Sequence, residues 1–83
     1  MVRMNGWREG ADVMQFITIV REFTGRSLDE AKEYCDRVRN GETIVLSTNL
    51  TDQSKAFAAR LLDSHIVNHA DVIRDIQFQE DSF

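Results

Sequence analysis

Two predicted helices meet in the stretch Ile19-Val20-Arg21-Glu22-Phe23-Thr24-Gly25-Arg26-Ser27-Leu28-Asp29-Glu30-Ala31-Lys32. Gly25 suits the left-handed conformation in which helices commonly end. Ser27 and Glu30 have the spacing of a capping box, in which each residue's side chain accepts a hydrogen bond from the other's backbone amide. Because the stop and start signals are almost adjacent, we expect a tight helical hairpin or corner.

Apolar residues on both sides of this corner recur at the three- and four-residue steps of an amphipathic helix. The upstream set is Val13, Met14, Phe16, Ile17, Val20 and Phe23, and the downstream set is Leu28, Ala31, Tyr34, Cys35 and Val38. The pattern predicts one helix over 11–23 and a second that begins after Ser27. Asn40-Gly41 is a typical helix stop and should end the second helix.

The rest of the chain predicts strands around a third helix. Thr43-Ile44-Val45-Leu46 is short, β-branched and without alternation, which indicates a buried strand that is central or covered on both faces. A third helix should begin at a cap on Asn49 or Thr51 and run to about Ser64. Residues 70–78 favour a strand, although residues 62–76 also fit a continuing helix. Residues 1–7 predict a weak edge strand.

Composition limits the classes of protein to which the chain can belong. With 83 residues, 42% of them hydrophobic, we expect a single domain over 1–83, with a short N-terminal strand or arm at 1–10 and an acidic tail at 79–83. The net charge of −4 makes nucleic acid an unlikely partner. The single cysteine, with no signal peptide or membrane-spanning run, predicts a cytoplasmic protein that contacts no membrane.

The stretch from Ile19 to Lys32 resembles the central motif of the C-terminal domain of the bacterial ribosomal stalk protein. In that family a helix ending in Val-Arg-x-x-Thr-Gly passes through a Gly-Leu turn into Lys-Glu-Ala-Lys. The resemblance covers about 12–78 in element order and implies an α+β fold, with three helices on a two- to three-stranded antiparallel sheet in the order β-α-α-β-α-β. The adaptor protein of the Clp protease is similar in topology. Both relatives bind proteins, and neither likeness by itself assigns a function.

The hairpin of the stalk family recruits translational GTPases, and the resemblance implies a protein-binding surface at the matching positions here. Those positions are Ile17, Val20, Arg21, Arg26 and Lys32. Arg21 and Lys32 match basic positions of the family, whereas Val13 and Thr18 stand where it has lysines. The hinge and dimerisation domain of the stalk protein do not occur in these 83 residues, so we expect a relative in shape that is not the stalk protein itself.

No residue pattern predicts catalysis, a cofactor or a metal site. His65 and His69 have metal-ligand spacing on a helix, but a third ligand would have to come from Asp63 or Asp71. Cys35 lies on an apolar helix face, where a cysteine usually packs as a small core residue. Glu30 has a structural role in the capping box. We therefore expect surface histidines, a core cysteine and no enzyme activity.

The sequence thus predicts a non-enzymatic protein-interaction module, for instance a small regulatory or phage-type protein that engages a cellular protein through its helical hairpin. The identity of that protein partner is not encoded in any motif. Two alternatives stay open. One is a nucleic-acid-associated regulator that uses the basic N-terminal half, and the other is a structural protein that self-associates as a homodimer through a sheet edge.

Overall fold

In a computed structural model, which describes residues 1–73 apart from the side chain of Thr51, three helices pack against one face of a three-stranded antiparallel sheet. The elements are β1 (Val2–Trp7), α1 (Val13–Thr24), α2 (Leu28–Arg39), β2 (Ile44–Leu46), a 3-10 turn (Thr51–Gln53), α3 (Ser54–Asp63) and β3 (Val67–Val72). This confirms the α+β class and the order β-α-α-β-α-β. The predicted tail at 79–83 and the predicted strand residues 74–78 lie outside the described residues.

The corner between α1 and α2 forms as its local signals predict. Gly25 adopts φ 71° and its amide donates to the Arg21 carbonyl at 3.0 Å, which ends α1. The Glu30 amide then donates to Ser27 Oγ at 3.2 Å, and the Ser27 amide donates to Glu30 Oε1 at 3.2 Å. Both halves of the capping box are therefore present, and α2 begins within a few residues of the end of α1.

The order of the strands differs from the prediction. The order is β2-β1-β3, so β1 is the central strand, although the sequence indicated an edge strand. β2 lies at the edge with Val45 exposed, although its apolar run indicated a central or doubly covered strand. The reason is that β1 pairs on both sides, with β2 through Val2 to Met4 and with β3 from Val2 to Trp7.

Gly6 allows β1 to contribute a tryptophan to the core. Its backbone φ of +79° is one that residues other than glycine rarely adopt. A Cβ added at this position would lie 3.0 Å from Asn68 Cβ of β3. The alternation of β1 shifts at this residue, so that Trp7 follows Met4 by three residues and still packs against the core. The Trp7 ring meets Phe16 edge to face, with centroids 5.7 Å apart.

The third helix begins without either predicted cap. Thr51 begins the 3-10 turn, and Gln53 precedes α3 without a capping hydrogen bond from its side chain. Asn49 instead bonds to the last turn of α1: its backbone amide donates to the Phe23 carbonyl at 2.9 Å. The helix ends at Asp63, one residue before the predicted end.

The chain after α3 forms a strand, so the interpretation of 62–76 as a continuing helix is wrong. His65 takes φ 57°, which turns the chain out of the helix, and β3 then begins at Val67, earlier than predicted. Pairing with the full length of β1 satisfies backbone groups that a further helix would have satisfied internally.

One apolar core joins all of these helices and strands. Its buried members are Val2, Met4, Phe16, Ile17, Ile19, Val20, Phe23, Ala31, Cys35, Val38, Ile44, Leu46, Phe57, Ala58, Leu61, Ile66, Val67 and Ala70. Phe23 of α1 stacks on Phe57 of α3 with ring centroids 5.3 Å apart, which holds α3 against the hairpin. The outer face of the sheet, by contrast, is polar around Arg3 and Asp71.

Candidate functional site

The five predicted binding residues fall into two groups. Ile17 is 3% exposed and Val20 is fully buried, so both side chains pack in the core instead of projecting from the helix surface. Their contact with a partner stays a prediction, and Ile17 also lines the cleft described next. Arg21 and Lys32 are exposed, and Arg26 is half-buried. The resemblance to the stalk family assigned these two positions to the binding surface, whereas the periodicity of α1 places them in the centre of the stripe that this helix buries.

A narrow cleft of about 220 Å³, here called the hairpin groove, runs between α1 and α2. Its lining residues are Val13, Met14 and Ile17 of α1 with Lys32, Cys35 and Asp36 of α2. Ile17 and Cys35 are buried, whereas Met14 is 61% exposed. The groove therefore offers an apolar floor with a flexible methionine beside it, a side chain that adapts to different contacts.

Met14 is the residue of the hairpin groove that the prediction of the binding surface missed. Its position in the apolar stripe predicted a core residue, but it is the most exposed of the large hydrophobic residues that the structure describes. The signal available in the sequence was its place at the margin of the stripe, directly beside Val13 and one turn before Ile17 and Thr18.

The positive charges near the groove differ in how they are used. Arg26 interacts with its own helix: its guanidinium is 3.5 Å from Glu30 and stacks over the Tyr34 ring at 5.6 Å. Arg21 and Lys32 have no carboxylate within ion-pair distance among residues 1–73. These two cations are therefore available to an incoming group, whereas Arg26 has a structural role.

A second, wider cleft of about 580 Å³, the corner recess, lies where α1 ends. It is lined by Thr18, Arg21, Glu22, Gly25 and Arg26. The Glu22 carboxylate lies 3.6 Å from the guanidinium of Arg60 on α3, which compensates part of its negative charge. The recess is polar and open, and it extends the hairpin surface beyond the groove along α1.

The pKa shifts at the hairpin follow from its local structure. Burial raises the pKa of the Cys35 thiol, so that this side chain stays protonated at neutral pH and is a poor nucleophile. The hydrogen bond from the Ser27 backbone amide, followed by the Ser27 hydroxyl, lowers the pKa of Glu30. The Glu30 carboxylate is therefore ionised, and its Oε1 accepts the hydrogen bonds of the capping box.

The histidines lie apart from the hairpin. His65 precedes β3, while His69 on that strand has Nε2 3.1 Å from Asp71 Oδ1. They do not share a helix face, and residues 1–73 hold no group of three His, Cys, Asp or Glu that could bind a metal ion. Asp71 itself is engaged by Arg3, whose hydrogen bond lowers the pKa of that carboxyl.

The basic residues of the N-terminal half are partly compensated. Arg3 pairs with Asp71 at 2.9 Å, and Arg37 pairs with Glu42 at 2.9 Å, in addition to the pair made by Arg26. Three of the seven cations behind the nucleic-acid alternative thus have a carboxylate partner; the seven are Arg3, Arg8, Arg21, Arg26, Lys32, Arg37 and Arg39. No helix within residues 1–73 has both the length and the apolar character needed to cross a membrane.

Comparison with protein-family models, with curated proteins and with solved structures returns no match for this chain. The likeness to the stalk domain therefore remains a prediction from the motif around Gly25. The fold order that it implied is present, and what the groove binds has to be argued from the groove itself.

Proposed function

We propose that this domain is a non-enzymatic protein-interaction module that binds a segment of a partner protein in the hairpin groove. The observation that carries the proposal is the exposed Met14 beside an apolar floor at Ile17 and Cys35, with Lys32 on the rim. An exposed large apolar side chain at a concave site is more informative than exposed charge, because scattered surface charge is common to all soluble domains.

The charges near the groove indicate the chemistry of the partner. Lys32 of α2 lines the groove, and Arg21 lies on α1 seven residues after Met14. Both cations attract carboxylates, although the protein as a whole has a net charge of −4. Met14 and Arg21 are two helical turns apart, about 10.5 Å along the axis. A partner segment with an apolar side chain and an acidic residue at that separation would contact both.

A binding role also agrees with the state of the reactive groups. The Cys35 side chain is buried and the pKa of its thiol is raised, so it packs as a core residue and is a poor nucleophile. The Glu30 carboxylate is held by Ser27. Neither group is activated as acid–base or nucleophilic catalysis requires.

Peptide selection tests the proposal even though the partner is unidentified. Random peptides displayed on phage are selected on the immobilised domain, and the affinity of enriched peptides is measured by fluorescence polarisation. We expect an apolar and an acidic residue in the enriched sequences. Met14→Gln and Lys32→Glu should each weaken binding about tenfold, equivalent to about 1.4 kcal/mol.

Lys55→Glu is the matched control for Lys32→Glu, because Lys55 is also an exposed helical lysine but lies on α3, outside the groove. It should leave the affinity unchanged. Peptides that bind the Lys32→Glu and Met14→Gln variants as tightly as the original domain would contradict the proposal, as would a selection that enriches no peptide.

A further inference from the structure

The side of α2 that borders the hairpin groove carries a row of alternating charge. Lys32, Asp36 and Arg39, here called the α2 charge row, follow one another at steps of four and three residues, so they lie along one face of the helix. All three residues are exposed. At about 1.5 Å per residue the row is about 10.5 Å long, and a carboxylate lies between its two positive ends.

The charges of this row are not used within the described part of the domain. No opposite charge lies within ion-pair distance of any of the three among residues 1–73. Lys32 precedes Asp36 by four residues, and this order gives a weaker pair on a helix than the reverse order does. The guanidinium of Arg39 instead lies over the Trp7 ring, 6.0 Å from its centroid. The row is therefore available to charges on another molecule.

The row is continuous with the groove. Lys32 and Asp36 line the hairpin groove together with Met14. Asp36 also lines a polar cleft of about 410 Å³ that extends to Arg39 and Asn40. An apolar contact and three charges in a fixed order are thus presented side by side, and a segment that fills the groove beside Met14 lies against the row.

We propose that the partner segment of the hairpin groove is an amphipathic helix that carries the complementary row, acidic–basic–acidic, at steps of three and four residues. Its outer carboxylates pair with Lys32 and Arg39, and its central lysine or arginine pairs with Asp36. An apolar side chain beside the central charge contacts Met14. The inference rests on the proposed function, because it concerns the same groove. It adds that Asp36 selects the partner, since a segment that is acidic throughout places a carboxylate against it.

A helix fits this surface better than an extended segment does. Most main-chain groups of α1 and α2 are paired within their own helices, so they offer no backbone partners to a strand. A helix satisfies its own backbone hydrogen bonds and needs only side-chain contacts. Its side chains three and four residues apart also repeat the spacing of the α2 charge row over the full length of about 10.5 Å.

Two stapled helical peptides test the inference by fluorescence polarisation at low salt. Both carry one leucine beside the central charged position; one has the row Glu, Lys, Glu and the other has Glu, Glu, Glu. The original domain should bind the first peptide about tenfold more tightly, because its lysine meets Asp36 whereas a glutamate is repelled there. Asp36→Lys should reverse this preference, which a difference in helix stability between the peptides cannot do. About 0.5 M salt should reduce the preference, because the pairs are exposed.

Asp63→Lys is the matched control, because Asp63 is an exposed aspartate on α3 and the change of charge is the same. It should keep the preference of the original domain. An unchanged preference in Asp36→Lys or a reversal in Asp63→Lys overturns the inference, as does the absence of binding by either peptide up to about 1 mM. Equal affinity of the original domain for both peptides, with both weakened by Met14→Gln, overturns only the charge selection and leaves the proposed function standing.

Discussion

The α1–α2 corner and the three-stranded sheet are held together in opposite ways. The bonds of the corner join residues three or four apart, such as Ser27 with Glu30 and Gly25 with Arg21. The sheet joins residues from opposite ends of the described chain, such as Arg3 with Asp71. The corner can therefore form from local preferences, whereas the sheet must overcome the entropy of closing long loops.

The difference also separates the hairpin groove from the edge of the sheet. The hairpin groove lies between two helices whose ends are stabilised locally at Asp12, Gly25 and Ser27. β2 lies at the edge of the described sheet because β1 takes the central place. Variants of the sheet remove contacts between distant segments and variants of the corner remove local ones, so the free energies of unfolding of the two sets compare the two kinds of contact.

The largest effect is expected from the central strand. Met4→Ala should lower the free energy of unfolding by about 2–5 kcal/mol, because Met4 is fully buried in β1 and its loss leaves a cavity. Met14→Ala is the matched control, since Met14 is 61% exposed, and it should change stability by about 0.5 kcal/mol or less. Urea unfolding followed by circular dichroism measures both.

Equal, small effects of the two methionine substitutions would contradict the central position of β1. They are the result expected if residues 1–7 were a peripheral arm, as the sequence indicated. The same comparison is therefore a direct test of the strand order β2-β1-β3.

An intermediate effect is expected at the corner. Gly25→Ala should cost about 1–2 kcal/mol, chiefly because φ is +71°; the end of the Asn49 side chain, whose Nδ2 would lie 2.9 Å from the new Cβ, has to move aside at a smaller cost. Gly41→Ala has the same kind of backbone strain at φ +92° but open space around it, so about 1 kcal/mol is expected. Thermal and urea unfolding of both variants give the difference between them.

The double variant Gly25→Ala with Asn49→Ala isolates the contact at the corner. Removal of the Asn49 side chain should bring the cost of Gly25→Ala, measured against Asn49→Ala alone, down to that of Gly41→Ala. If Gly25→Ala lowers the free energy of unfolding by the same amount in the Asn49→Ala background, the Asn49 side chain does not contribute to the cost at the corner.

The smallest effect concerns acid stability, with one carboxylate in each region. The folded pKa values of Glu30 and Asp71 are lowered, by Ser27 and by Arg3 respectively, so both groups stabilise the fold when ionised. That contribution is complete above the unfolded pKa values of about 4.5 and 3.8 and is lost as pH falls through the lower folded values. Stability should therefore decrease as the solution is acidified below about pH 5.

Glu30→Gln and Asp71→Asn should each flatten part of this decrease, since neither amide titrates. Urea midpoints between about pH 6 and about pH 3 measure the slopes, with Glu33→Gln as an exposed control on the same helix as Glu30. A slope unchanged in both variants would mean that these two bonds do not contribute to acid stability.

Much of the fold was predictable because its signals are short-range. The stop at Gly25, the capping box at Ser27 and the end of α2 near Asn40 all follow from neighbouring residues and are confirmed. The N-cap Asp12, which accepts from the Gln15 amide at 3.2 Å, carries an equally local signal and was missed.

Less of the candidate site was predictable. Arg21 and Lys32 are exposed as expected, but the periodicity of α1 could not separate the buried Ile17 from the exposed Met14. Both residues lie within the same apolar stripe. How closely α2 packs against α1 decides that Ile17 is buried and Met14 is left exposed. Val20 was assigned to the surface by the family resemblance alone, since the periodicity of α1 had placed it in the apolar stripe.

The sequence by itself determined where α1 ends and where α2 begins and ends, because the left-handed glycine and the capping box act on the backbone within a few residues. It also determined that Ile44 to Leu46 would be a strand. Only the tertiary structure decided that β1 is central, that β2 lies at the edge of the described sheet and that a groove opens beside Met14. The physical reason is that strand order and helix spacing depend on contacts between distant segments, and alternation or periodicity states only that one face is buried.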